Sequence, residues 1–93
     1  MNRILLRSSA FVHAARKYLK KNPQYAPDIQ YVLDLLTDDT FHPNLKTHKL
    51  KGELKGSWAC SAGYDLRIVF KFVQYKGAEA ILLESIGSHD EVY

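Results

Sequence analysis

Two histidines and an arginine give this chain its clearest reactive potential: His48, Arg67 and His89. An imidazole, with an ordinary pKa of about 6.5, can take or return a proton near neutrality. A guanidinium is a permanently charged fork that matches the oxygens of a phosphate. Metal-free cleavage of RNA needs these services: a base for the 2′-hydroxyl proton, an acid for the departing 5′-oxygen, and a cation for the charge that builds on phosphorus. Asp65, two positions before Arg67, adds a carboxylate of the same strand parity. Each residue also has a quieter use: His89 as an exposed side chain, His48 as a solvated loop residue, Arg67 as an ion-pair partner of Asp65 or Glu84. His13 and His42 have no evident partner and read as structural. Trp58 and Tyr64 offer rings for base stacking, although an aromatic side chain in a small domain more often joins the core. Cys60 reads as a small buried apolar residue. The lone thiol and the scattered histidines lack the paired spacings of metal sites, so neither metal nor cofactor is expected.

The elements that must position these groups follow from periodicity. Residues 3–7 read as a first strand, closed by Ser8 or Ser9, either of which can cap a helix running to Lys21. Phe11, Ala15, Tyr18 and Leu19 form its apolar stripe, and His13, Arg16, Lys17, Lys20 and Lys21 a basic one. A second helix starts near Pro27, with Asp28 favourably placed in its first turn and Ile29, Val32, Leu33 and Leu36 facing the core. Residues 41–55 have little periodicity and read as loop with some short strand. Period-two patterning then marks strands at 57–61, 64–73 and 79–86. In the second of these, Tyr64, Leu66, Ile68, Phe70 and Phe72 face inward, which sends Asp65 and Arg67 to the opposite, uncovered face. The expectation is one α+β domain over 1–93: two helices on a mainly antiparallel four-stranded sheet, in the order β-α-α-β-β-β.

Composition narrows the functional classes. Ninety-three residues, 46% hydrophobic and 25% charged, suit one folded domain and not a disordered chain. The apolar runs are too short for a membrane helix, and the single cysteine with no signal-like leader points to a cytoplasmic protein. The net charge of +3 is unevenly spread. Residues 1–21 hold six basic and no acidic side chains, residues 22–41 only Asp28, Asp34, Asp38 and Asp39, and residues 46–55 four lysines against Glu53. Two basic clusters flanking an acidic helix would attract a polyanion such as nucleic acid.

Three segments together resemble the RelE/ParE superfamily of bacterial toxins, and within it the YafQ-like branch. They are His48-Lys49-Leu50-Lys51-Gly52 with Leu54-Lys55-Gly56-Ser57-Trp58, then Gly63-Tyr64-Asp65-Leu66-Arg67-Ile68-Val69-Phe70, then Gly87-Ser88-His89-Asp90-Glu91-Val92-Tyr93. The resemblance implies the toxin of a type II toxin–antitoxin pair: an endoribonuclease that enters the ribosomal A site, cuts mRNA there and inhibits translation. It places the general acid on His89, a strand carboxylate on Asp65, a base on His48 and the phosphate contact on Arg67. It implies that Arg16, Lys17, Lys20, Lys21, Lys46, Lys49, Lys51 and Lys55 hold RNA, and that an antitoxin protein covers the same groove. YafQ-like toxins carry a further histidine between the tryptophan and the strand aspartate, where this chain offers Ser61; Glu53 and Leu54 lengthen the approach to Trp58. The same fold also serves ParE-like inhibitors of DNA gyrase, without hydrolytic chemistry, and inactive relatives that only bind RNA or antitoxin. A histidine near an arginine favours the nuclease, since a gyrase inhibitor has no use for an acid.

Overall fold

Ser8 decides where the first helix begins: its Oγ accepts a hydrogen bond from the Phe11 amide at 3.0 Å and so satisfies one of the free donors of the first turn. In the computed structural model, which describes residues 2–63 and 65–93, β1 (Ile4–Arg7) leads through this cap into α1 (Ser9–Lys21). A 3₁₀ turn, Pro23–Tyr25, then redirects the chain into α2 (Ala26–Asp38). Thr40 closes α2: its buried hydroxyl donates to the Leu36 carbonyl at 2.7 Å and accepts from Arg3 Nη1 at 2.9 Å. After a 3₁₀ turn at Pro43–Leu45 come β2 (His48–Lys49), another at Gly52–Leu54, β3 (Trp58–Ser61), β4 (Leu66–Tyr75), β5 (Ala78–Ser88) and α3 (His89–Val92).

The sheet order is β1-β5-β4-β3-β2, antiparallel except for the parallel β1–β5 pair. Its inner face and the two long helices share one core, in which Phe11, Leu36, Ile68, Phe70, Ile81 and Leu83 are buried. The inward set expected of β4 holds at Leu66, Ile68 and Phe70; Tyr64, expected with them, lies outside the described residues. Cys60 is fully buried as expected, and burial pushes its thiol up to about 12 against the opposing pull of the Arg67 charge. A thiolate is the reactive form, so Cys60 resists a thiol reagent in the native protein and reacts once denaturant unfolds it. Rapid native labelling, followed by absorbance, would refute this.

The structure corrects three expectations. There are five strands, because His48 and Lys49 pair with Ala59 and Trp58 and add β2 to the edge. The last residues form a helix, α3, that packs on β4 and β5. Asp65 sits in a bend before β4, so strand alternation does not place it beside Arg67; it lines a pocket with Tyr18 and Tyr25. A bulge opposite Val69 and Phe70, whose partners are Ser85 and Leu83, sets Glu84 apart. Its carboxylate accepts from Ser57 Oγ at 2.6 Å and pairs with Lys71 at 3.3 Å. Among the described residues no helix is long and apolar enough to cross a membrane.

Candidate active site

The position of His89 is fixed by the turn that precedes it. Ser88 N donates to Glu91 Oε1 at 2.8 Å and Ser88 Oγ accepts from Glu91 N at 3.3 Å, a reciprocal capping box. Gly87 allows the turn to pack closely: a Cβ there would stand 3.1 Å from Glu91 Cβ, tighter than most such contacts. The hydrogen bonds from Ser88, with smaller help from Lys17 and Lys21, hold the Glu91 carboxyl below the usual carboxylate range. A depressed carboxyl stabilises above its unfolded pKa of about 4.3 and loses that contribution as pH falls through the folded value. The α3 turn is therefore expected to fray in acid, and Ser88→Ala to weaken it by about 1 kcal/mol at neutral pH. Amide exchange at Glu91 and Val92 checks both; unchanged protection in the variant would remove the cap from the account.

On this turn His89 is exposed, its side chain 59% accessible. Its ring meets Tyr93 edge-on at 4.6 Å, and Nδ1 lies 3.5 Å from Asp90 Oδ1. Tyr93 lines a groove of about 590 Å³ whose opposite wall carries His48, Leu50 and Leu54. His48 Nδ1 stands 2.9 Å from the Lys46 carbonyl. A carbonyl only accepts, so in the neutral ring the proton sits on Nδ1 and Nε2 is left as the proton acceptor. Arg67 is half-buried on β4 with Nη1 donating to the Leu66 carbonyl at 3.1 Å. Its charge reaches Tyr93, opposing the rise that partial burial imposes on the phenol. His89, Tyr93, Arg67 and His48 thus form one neighbourhood.

Asp65 stands outside it. It lines a separate pocket of about 230 Å³ with Tyr18, Tyr25 and Ser88, and its charge contributes, after burial and Tyr25, to raising the Tyr18 phenol. Of the basic residues, Lys17 and Lys21 line the gap between α1 and α3, and Lys51 borders the His48 groove. Lys49 and Lys55 line the groove beyond Lys51. Arg16, Lys20 and Lys46 are exposed but line none of these grooves. Sequence reasoning missed α3, although Ser88-His89-Asp90-Glu91 has the S-x-x-E spacing of a capping box.

The profile of the YafQ toxin family, described as the bacterial toxin of a type II toxin–antitoxin system, matches residues 4–93. The chain belongs to this family. No curated sequence relative matches it. Among solved structures, the chain is similar to YafQ from E. coli strain BL21(DE3), with 19% identity, 98% of each chain covered and a TM-score of 0.79. The chain is also similar to a metal-bound toxin from Helicobacter pylori, with 30% identity, 100% of each chain covered and a TM-score of 0.75. The E. coli DinJ–YafQ toxin–antitoxin complex is similar at 20% identity, covering 100% of this chain and 99% of that one, with a TM-score of 0.77. Among the described residues of this YafQ-family chain, no three His, Cys, Asp or Glu side chains are grouped to hold a metal ion.

Proposed function

We propose that the chain is a ribosome-dependent mRNA endoribonuclease, the toxin of a type II pair, that cuts RNA by metal-independent acid–base chemistry. The observation that carries this reading is the single neighbourhood in which His48, its Nδ1 turned to the Lys46 carbonyl, lines a groove with Tyr93, with His89 against that tyrosine and the Arg67 charge within its reach. In this mechanism His48 Nε2 takes the 2′-hydroxyl proton and the 2′-oxygen attacks the adjacent phosphorus. Arg67 stabilises the charge on the phosphorane oxygens, and His89 donates a proton to the departing 5′-oxygen. The products are a 2′,3′-cyclic phosphate and a free 5′-hydroxyl. Asp65 lies in the neighbouring pocket and is given no proton to carry.

The exposed basic residues on α1 and in the 46–55 connection would hold RNA backbone around this groove, since phosphate neutralisation supplies most sequence-independent affinity. The DinJ–YafQ complex supports a protein antitoxin as partner, which would cover the same basic surface. Primer extension on a defined mRNA tests the reading, with translating ribosomes in one reaction and naked RNA in another. Discrete cuts at A-site codons, absent without ribosomes, are expected. An uncut message on ribosomes that bind the protein would overturn it.

A further inference from the structure

A second groove, of about 700 Å³, adjoins the candidate active site at the edge of the sheet. Leu50 and Lys51 line both grooves, so the two are continuous around the β2 edge. The floor of the second is apolar and holds Trp58, while Lys49, Lys51 and Lys55 supply its charge. Among the described residues none of these lysines is in an ion pair with a carboxylate. Trp58 is buttressed by Phe41 and Phe72, whose ring centres lie 5.4 and 5.5 Å from its own at near-perpendicular angles. Lys49 Nζ stands over the Trp58 ring at 5.5 Å from its centre.

We propose that this groove is a binding track for single-stranded RNA, in which one base stacks on Trp58 and the flanking phosphates are held by Lys49 and Lys55. The inference rests on the nuclease reading above and extends it: a strand whose phosphate lies in the His48 groove passes over Leu50 and Lys51 into the second groove. The chemistry fits in three respects. A nucleotide chain alternates flat apolar rings with anionic groups, as this groove alternates an apolar floor with cations, and stacking of a base on an aromatic side chain is worth about 1–3 kcal/mol. The buttressed indole is rigid, so little freedom is lost on stacking. Lys49 marks the reachable ring face: its ammonium can leave the ring for a phosphate as the base takes its place.

Trp58 is the only tryptophan in the chain, so its fluorescence reports on this groove alone. The test titrates the full-length protein with a 2′-O-methyl oligoadenylate of about eight nucleotides, which lacks the nucleophile and is not cut, while anisotropy of a label on the oligonucleotide measures total binding. Quenching of Trp58 in step with the anisotropy rise is expected. Lys49→Gln with Lys55→Gln is expected to weaken binding about tenfold and to flatten the log–log salt dependence by about 1.4, two single-strand phosphate contacts. Binding with unchanged Trp58 emission overturns the proposal, as does an unaltered salt slope in the variant. Quenching by an acidic peptide but not by the oligonucleotide would also overturn it, assigning the groove to a protein partner. A protein that shows quenching yet never cuts mRNA on ribosomes would lose the nuclease reading and keep the track; one that cuts without quenching would do the reverse.

Discussion

Replacing His89 with alanine is expected to lower the single-turnover rate of mRNA cleavage on programmed ribosomes by about 10²–10⁴-fold, the usual contribution of a positioned general acid. The fold should not notice. His89 is exposed, makes an edge contact with Tyr93 and only a long approach to Asp90, and contributes no side chain to the core. The thermal unfolding midpoint of the variant should therefore lie within a degree or two of the parent, since exposed substitutions away from such features fall within about 0.5 kcal/mol. Loss of activity alone does not distinguish an acid from a side chain that merely shapes the groove. A message carrying sulfur in place of the scissile 5′-bridging oxygen does, because a thiolate departs without a proton. If His89 protonates the leaving group, the variant regains most of the parent rate on that substrate. A His89→Ala protein that cuts ordinary mRNA at full rate, or one whose deficit is the same with oxygen and sulfur, removes His89 from the role of acid.

The parts of the fold with strong periodicity were legible from the residues. The Phe11 and Leu36 contributions to the core and the inward Leu66, Ile68 and Phe70 of β4 follow from spacing that a helix or strand enforces over several turns or pleats, whereas the choice of Ser8 over Ser9 as the cap does not. Short elements were not, because two residues cannot display a period. The β2 pairing of His48 and Lys49 depends on the chain returning through residues 50–57, where Leu50 N donates to the Ser57 carbonyl at 3.0 Å. Gly56, at φ +98, adopts a conformation in that return which L side chains rarely take. Asp65 could not be placed by alternation counted back through a bend, and Glu84 stands away from Arg67 because the register, which no single strand displays, sets Gly87 opposite Arg67 and leaves Glu84 to Lys71 and Ser57. The candidate site suffered in the same way: residue types singled out His48, Arg67 and His89, whereas their common neighbour Tyr93 emerged only when α3 folded against the sheet.

Arg67→Ala should also cost about 10²–10³ in the single-turnover rate, the scale of removing one preorganised donor from a developing oxyanion, while ribosome affinity changes only a few-fold. The separation follows from the division of labour among the cations. Lys17, Lys21, Lys49, Lys51 and Lys55 spread along the grooves, and each is expected to add a little to binding. Arg67 is half-buried on β4, held by the Leu66 carbonyl, and in the proposed mechanism it acts where charge appears in the transition state. Arg67→Lys is not expected to restore the rate, since an ammonium on a flexible stem does not reproduce the planar fork. An independent readout checks that the charge faces the groove: Arg67 lowers the Tyr93 phenol, so its removal should move that phenol further above its ordinary range, measured by carbon chemical shift of the Tyr93 ring against pH. A group with a raised folded pKa stabilises below its unfolded value and loses that contribution as pH rises towards its folded value, so the alkaline loss of stability should begin at the same pH in both proteins and reach further in the variant. If cleavage and ribosome affinity instead fall by the same factor, Arg67 binds RNA uniformly through the reaction and contributes nothing specific to its transition state.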